Sequence, residues 1–225
     1  MVTLYTAIGC YKLDNHGVPT VVAGDRNHKL DTYELLLWSS LAFRILTYQE
    51  LKAQFYQTER ELHILGELDF DHYLNRLCTR RLVAFGTDYT GVDALYDLIG
   101  HLHVQSLPNG ITMKTASFMK LLLYRRLSFK KAAHIFHSEK LEPAEKHVIS
   151  LIRHQTLSTA ELILCAENGK KSLRNPDELM DCIYTDDSTD CESIITDGRM
   201  SETRFPILAA VASLYFKQRI MFQIV

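Results

Sequence analysis

The sequence predicts an α+β fold, mostly helical, in which two similar units follow an N-terminal β-hairpin. Three observations predict it. The 225 residues are 47% hydrophobic and 23% charged, with only 5 Pro and 10 Gly, which is the composition of a chain that folds around a core. Apolar residues at helical spacing recur along the chain, and several runs open on Asp, Thr or Ser three residues ahead of Glu. A constant offset also relates two stretches: Glu34 over Glu145 aligns Ser39 with Ser150, Leu46 with Leu157, Glu50 with Glu161 and Leu51 with Leu162.

Residues 1–30 carry "VTLYTAIG" and "VPTVVAGD" on either side of "DNHG", rich in β-formers, and are read as a hairpin or arm, or two edge strands, that covers a sheet edge or extends a wing. The first unit, 31–110, opens on "LDTYELLLWSSLAF". Asp31 caps a helix there, Glu34 returns the bond, and Trp38 anchors the core. Thr47 and Glu50 open a short second helix in which Leu51 and Phe55 lie one turn apart. After the polar connection "ERELHILGELD", broken at Gly66, a third helix begins at Asp69 or Asp71, with Phe70, Leu74, Leu77 and Cys78 as its apolar stripe. Strand-like "LVAFG" and helical "GVDALYDLIGHL" follow.

A basic connecting segment, 111–143, joins the units; Ser128 can cap a helix in it, and periodicity alone does not settle 112–127. The second unit, 144–225, repeats the order with "EPAEKHVISLIRHQ", with "LSTAELILCAENG" capped by Ser158 and Glu161, and with "NPDELMDCI", where Asn175 caps and Pro176 takes the first helical position. With a gap, "TDYTGVDALYDL" from Thr87 overlays "TRFPILAAVASL" from Thr203.

Helix, helix, helix, strand is the order of a winged helix-turn-helix. "LNRLCTRRLVAFG" resembles the segment of winged-helix bacterial transcription regulators in which a Leu-x-x-Leu helix is followed by Arg, a small or glycine residue, Leu and Val. Arg81 stands where those families carry glycine, and "GVDALYDLIGHL" occupies much of the expected wing tip. The resemblance covers 31–86, with a weaker repeat at 144–221. It implies tandem winged-helix-like units, the first binding double-stranded DNA through its third helix, and a homodimer that reads paired half-sites.

His72, Tyr73, Asn75, Arg76, Thr79 and Arg80 lie off the apolar stripe and are expected to face outward. Asn and Arg can read base edges, while Tyr73, Thr79 and Arg80 can hold phosphates. Arg125, Arg126, Lys130 and Lys131 can add phosphate contacts. A solvated helix face with its arginines in salt bridges explains the same residues. Net charge −2 and a pI near 6.5 give no global basic field. The second unit concentrates Asp177, Glu178, Asp181, Asp186, Asp187, Asp190, Glu192 and Asp197, which repel phosphate and suit packing or dimerisation. The alternative function is therefore a winged-helix protein-interaction module, its acidic unit meeting a basic partner.

No enzyme, cofactor or metal is expected. "AENGKKS" lacks the earlier glycine of a phosphate loop, and "TDDSTDCESIITD" reads as a solvated acidic loop. His101 with His103, or His134 with His137, would need further ligands to hold a metal, and neither Cys10 nor Cys78 has an activating base in view. Five scattered cysteines without a C-x-x-C pair fit a reducing cytoplasm. The N-terminus lacks the pattern of a signal peptide, and "ILAAVASLYF" is too short for a membrane span.

Overall fold

A computed structural model describes residues 1–13, 18–62, 69–107, 140–184 and 189–224. The first strand, β1 (Val2–Ala7), is followed by an antiparallel meander of β2 (Cys10–Leu13), β3 (Pro19–Ala23) and β4 (Arg26–Lys29). Helix α1 (Thr32–Leu41), strand β5 (Ile45–Thr47), helices α2 (Tyr48–Leu62) and α3 (Phe70–Thr79), and strand β6 (Val83–Asp88) complete the first unit. The expected arm therefore divides. β2 and β3 do form a hairpin, but β1 is the middle strand of a sheet ordered β5-β1-β6, with Tyr5 opposite both Leu46 and Phe85. Its two-sided pairing satisfies backbone groups that an arm would leave open.

Beyond β6 comes α4 (Gly91–Ile99), capped by Thr90 and packed on that strand so closely that a Cβ at Gly86 would lie 2.2 Å from the Leu98 backbone nitrogen. Strand β7 (His103–Ser106) follows, then α5 (Pro143–Leu151), β8 (Leu157–Ser158), α6 (Thr159–Glu167), α7 (Pro176–Ile183), α8 (Cys191–Met200), α9 (Arg204–Phe216) and β9 (Ile220–Gln223). The boundary placed at 110 leaves β7 with the first unit, whereas it is the middle strand of the sheet β8-β7-β9. The described residues thus contain nine helices and three small antiparallel sheets.

Both units follow one order: a middle strand, a helix, a short strand that runs directly into a helix, a later helix, and a closing strand. The offset of 111 residues pairs α1 with α5, Thr47 with Ser158 and Glu50 with Glu161; both hydroxyls cap, and both glutamates accept the cap N–H, at 2.9 and 2.6 Å. The later overlay of Thr203 on Thr87 is corrected by the strands. It sets α9 against α4, but α9 feeds β9 as α3 feeds β6. In each, the residue after the cap turns left-handed, Arg81 at φ 56 and Gln218 at φ 57. The next N–H reaches back to the helix, Leu82 to the Leu77 carbonyl and Arg219 to that of Leu214, which is a Schellman closure.

One core lies under α1, α2 and α3, with Leu36, Trp38, Leu51, Phe55, Phe70 and Leu77 buried. The other fills the space among α4, α5, α6, α8, α9 and β7. Tyr215 of α9 joins the two units: its buried hydroxyl receives the Thr6 hydroxyl and Phe43 N–H at 3.0 Å and donates to the Ala7 carbonyl at 3.2 Å. Burial pushes that phenol up to about 12.

Candidate functional site

Helix α3 starts at Asp69, whose carboxylate accepts the His72 N–H at 3.0 Å, one of the two starts its sequence allows. Of the six residues expected to face outward, His72, Asn75, Thr79 and Arg76 are exposed and Arg80 is half-buried. Tyr73 is a correction. It is 4% exposed and stacks on Tyr33 with ring centroids 5.0 Å apart, because the buried sector of α3 is wider than the predicted stripe. A phenol ring loses more water-exposed apolar area inward than its one hydroxyl gains outward.

The two arginines are already engaged. Arg76 donates to Asp31 at 3.2 Å and pairs with Glu34 at 3.2 Å, and Arg80 donates to Glu34 at 2.7 Å and to the Lys29 carbonyl at 2.8 Å. Glu34 is 1% exposed, so this is an ion pair in which the anion has almost no water. Asp31 and Glu34 also close the N-terminus of α1 on each other's N–H groups. Farther along α3, Asp71 accepts the Tyr48 hydroxyl at 2.6 Å and pairs with Lys52 at 3.6 Å. Of the α3 side chains these bonds leave unengaged, His72, Asn75 and Thr79 form the outward surface, polar and carrying little charge.

Residues that sequence reasoning missed in this role are Asp31 and Glu34, read only as a cap. The signal that finds them is the same pattern in the second unit. There Glu145, 2% exposed, accepts Lys217 and Ser213 at 2.6 Å each and the Glu142 N–H at 2.8 Å. Burial alone would raise the Glu145 carboxyl, but the bonds from Lys217, Ser213 and Glu142 outweigh it and hold the group below the ordinary glutamate range. Arg80 and Lys217 are the equivalent residues, each the C-cap of the helix that precedes the closing strand.

Arg125, Arg126, Lys130 and Lys131, with His134, His137 and Ser128, lie outside the described residues, as do "DNHG" and Asp186 and Asp187. His101 is exposed, yet partial burial lowers its affinity for a proton, and the Nδ1 atom of His103 is buried without a partner. No group of three or more His, Cys, Asp or Glu among the described residues is placed to hold a metal ion. "AENGKKS" is the C-terminal stop of α6, closed by Gly169 at φ 67. Burial raises the thiols of Cys10 and Cys78, the latter to about 11, which suits packing rather than nucleophilic attack. The second part of the acidic run is helical, α8, with Asp190 as its cap. In α7 and α8, Asp177, Asp181, Glu192 and Asp197 make no ion pair with a described residue, and Met180 and Met200 of the same helices are exposed.

No described helix is long and apolar enough to cross a membrane. No family model, no curated protein and no solved structure matches the chain.

Proposed function

We propose that the chain is a protein-interaction module made of two winged-helix-like units, with the exposed acidic residues of α7 and α8 meeting a basic partner. The observation that carries this reading is the engagement of Arg76 and Arg80 by Asp31 and Glu34. Binding to a nucleic-acid backbone is driven by cations that neutralise phosphates. On α3 both cations are already paired with carboxylates of the same chain, Arg80 with buried Glu34 and Arg76 at the surface with Asp31 and Glu34, and drawing both away would strand Glu34 without a counter-charge. What supports the winged-helix-like part is the element order in each unit, helix, strand, helix, later helix, closing strand. The middle position of each sheet, however, is filled by a strand that precedes the first helix. The reading assigns the chain no catalytic step.

A second reading, a DNA-binding transcriptional regulator, draws on the exposed His72, Asn75 and Thr79 and on Arg76, whose side chain keeps 44% of its surface in water. One titration separates the two. A fluorescent random duplex is expected to bind only in the non-specific range, about 10⁻⁴ to 10⁻⁶ M at physiological salt, with no further loss in Arg76→Ala. An amphipathic Lys/Leu peptide is expected to bind and to lose affinity in the double variant Asp177→Asn, Asp181→Asn. Submicromolar duplex binding that falls steeply with salt and disappears in Arg76→Ala would instead establish the regulator.

A further inference from the structure

Helices α6 and α7 each bring one cysteine to the seam between them. Cys165 of α6 is fully buried, and Cys182, next to last in α7, is half-buried and packs against the same core cluster. Two ties fix the seam. Asn168, the C-cap of α6, donates its side-chain amide to the Cys182 carbonyl at 3.0 Å and to the Cys182 sulfur at 3.6 Å. The Tyr184 hydroxyl donates to buried Glu161 of α6 at 2.9 Å. Glu161, Cys165 and Asn168 follow one another at helical spacing on one face, so the ties from residues 182 and 184 to residues 168 and 161 set the Cys182 thiol beside that of Cys165.

The two thiols are unlike. Burial, then the neighbouring Cys182 and Glu161, push the Cys165 thiol up to about 12, so it keeps its proton inside the core while Cys182 meets solvent. Oxidation starts at the accessible member of such a pair. The two helices also differ in anchorage. Most of α6 is buried, whereas α7 is eight residues long and Ile183 is its one buried residue. A disulfide holds its sulfurs about 2.05 Å apart, closer than two thiols in contact, and the lightly anchored helix is the one able to close that gap.

We propose that Cys165 and Cys182 form a redox modification site, at which hydrogen peroxide converts the two thiols into a disulfide that staples α7 to α6. In the first step the Cys182 sulfur attacks one peroxide oxygen. The O–O bond breaks, Cys182 becomes a sulfenic acid, and the second oxygen leaves with the thiol proton as water. In the second step the Cys165 sulfur attacks the Cys182 sulfur. The S–O bond breaks, and the hydroxyl leaves with the Cys165 proton as another water. The thiol pair gives up two electrons and two protons, and one peroxide becomes two waters. A small dithiol reverses the change, returning both thiols as it closes to a disulfide itself. The site uses none of the acidic side chains of α7 and α8 and stands or falls independently of the docking reading above.

The test is the full chain, reduced, freed of reductant and exposed to hydrogen peroxide. Two of its five thiols are expected to disappear and the mass to fall by two hydrogen atoms. Non-reducing peptide mapping is expected to place the bond between Cys165 and Cys182, and dithiothreitol to restore all five thiols. In Cys165→Ala the reaction should stop at a Cys182 sulfenic acid that dimedone traps. In Cys182→Ser, a change at the half-buried position that keeps the chain testable if the core variant fails to fold, Cys165 should survive unmodified. Cys191 is exposed and is the competing thiol, so Cys191→Ser is expected to leave the bond unchanged. A bond between Cys182 and Cys191, a bond formed only between copies through Cys191, or a Cys165 that stays a free thiol while Cys182 is oxidised each overturns the inference.

Discussion

The two units close on the same joint with different cations. In the first, Glu34 is held by Arg80 and Arg76, and Arg80 also reaches the Lys29 carbonyl at the end of β4. In the second, Glu145 is held by Lys217, with the Ser213 hydroxyl on the same carboxylate oxygen. A guanidinium fork serves two acceptors in fixed directions, so the first joint ties the meander to the helices as well, whereas the second joint uses the compact charge of an ammonium on Glu145. The difference teaches that the joint anchors the later helix to the first helix whatever the outer surface carries. With that tie in place, α3 is polar outside and α9 exposes Phe205 and Phe216, without a change in architecture.

The largest break in this comparison is removal of the anions. Glu34→Ala and Glu145→Ala each leave a cation short of its partner and the N-cap residue's own N–H without its acceptor, and each is expected to lose about 3 kcal/mol or more in urea unfolding. Glu34→Ala should lose more, since two arginines lose that carboxylate at once, Arg76 keeping only Asp31 and Arg80 only the Lys29 carbonyl. An unaffected Glu145→Ala would show the joints to be unlike in energy despite their shared geometry. A second expectation concerns acid. Because the folded protein holds the Glu145 carboxyl low, the stability it contributes is present above the unfolded value, about 4.3, and is lost as pH falls through the lower folded value. In Glu145→Gln, stability plotted against pH should therefore flatten below that point.

Exchanging the cations sharpens the comparison further. Arg80→Lys gives up the Lys29 carbonyl and is expected to cost about 1 kcal/mol, while Lys217→Arg, which keeps the charge opposite Glu145, should cost less. The smallest effect lies at the left-handed residues. Arg81→Gly and Gln218→Gly remove a side chain from a conformation that disfavours it and are each expected to stabilise by up to about 1 kcal/mol.

Local features of the fold could be read from the sequence because their chemistry is local. Asp31 with Glu34, Thr47 with Glu50, Ser158 with Glu161 and Asn175 before Pro176 all cap as their spacing indicates, and Trp38 is buried at 3% exposure. Features that depend on a distant partner could not. Alternating β-formers in residues 2–7 give a strand but do not say that residues 45–47 and 83–88 will flank it. Nor does the outer face of α3 reveal that its arginines face carboxylates 42 to 46 residues earlier, the information that decides between a cation surface and a neutral one. Tyr73 lies off the stripe of Phe70, Leu74, Leu77 and Cys78 that spacing picks out, whereas its ring and the neighbouring Tyr33 set its direction.

The place of β1 has a consequence for how the molecule is made. Strand β1 occupies the middle of its sheet, and its last partner ends at Asp88, so the sheet cannot assemble until that residue has left the ribosome. Closure over such a separation is slow compared with helix formation, so α1, α2 and α3 have time to gather before the strand between them locks. Val2–Ala7 is then the latch of the first unit: a nascent chain cut before β6 should still collapse but remain open to proteolysis.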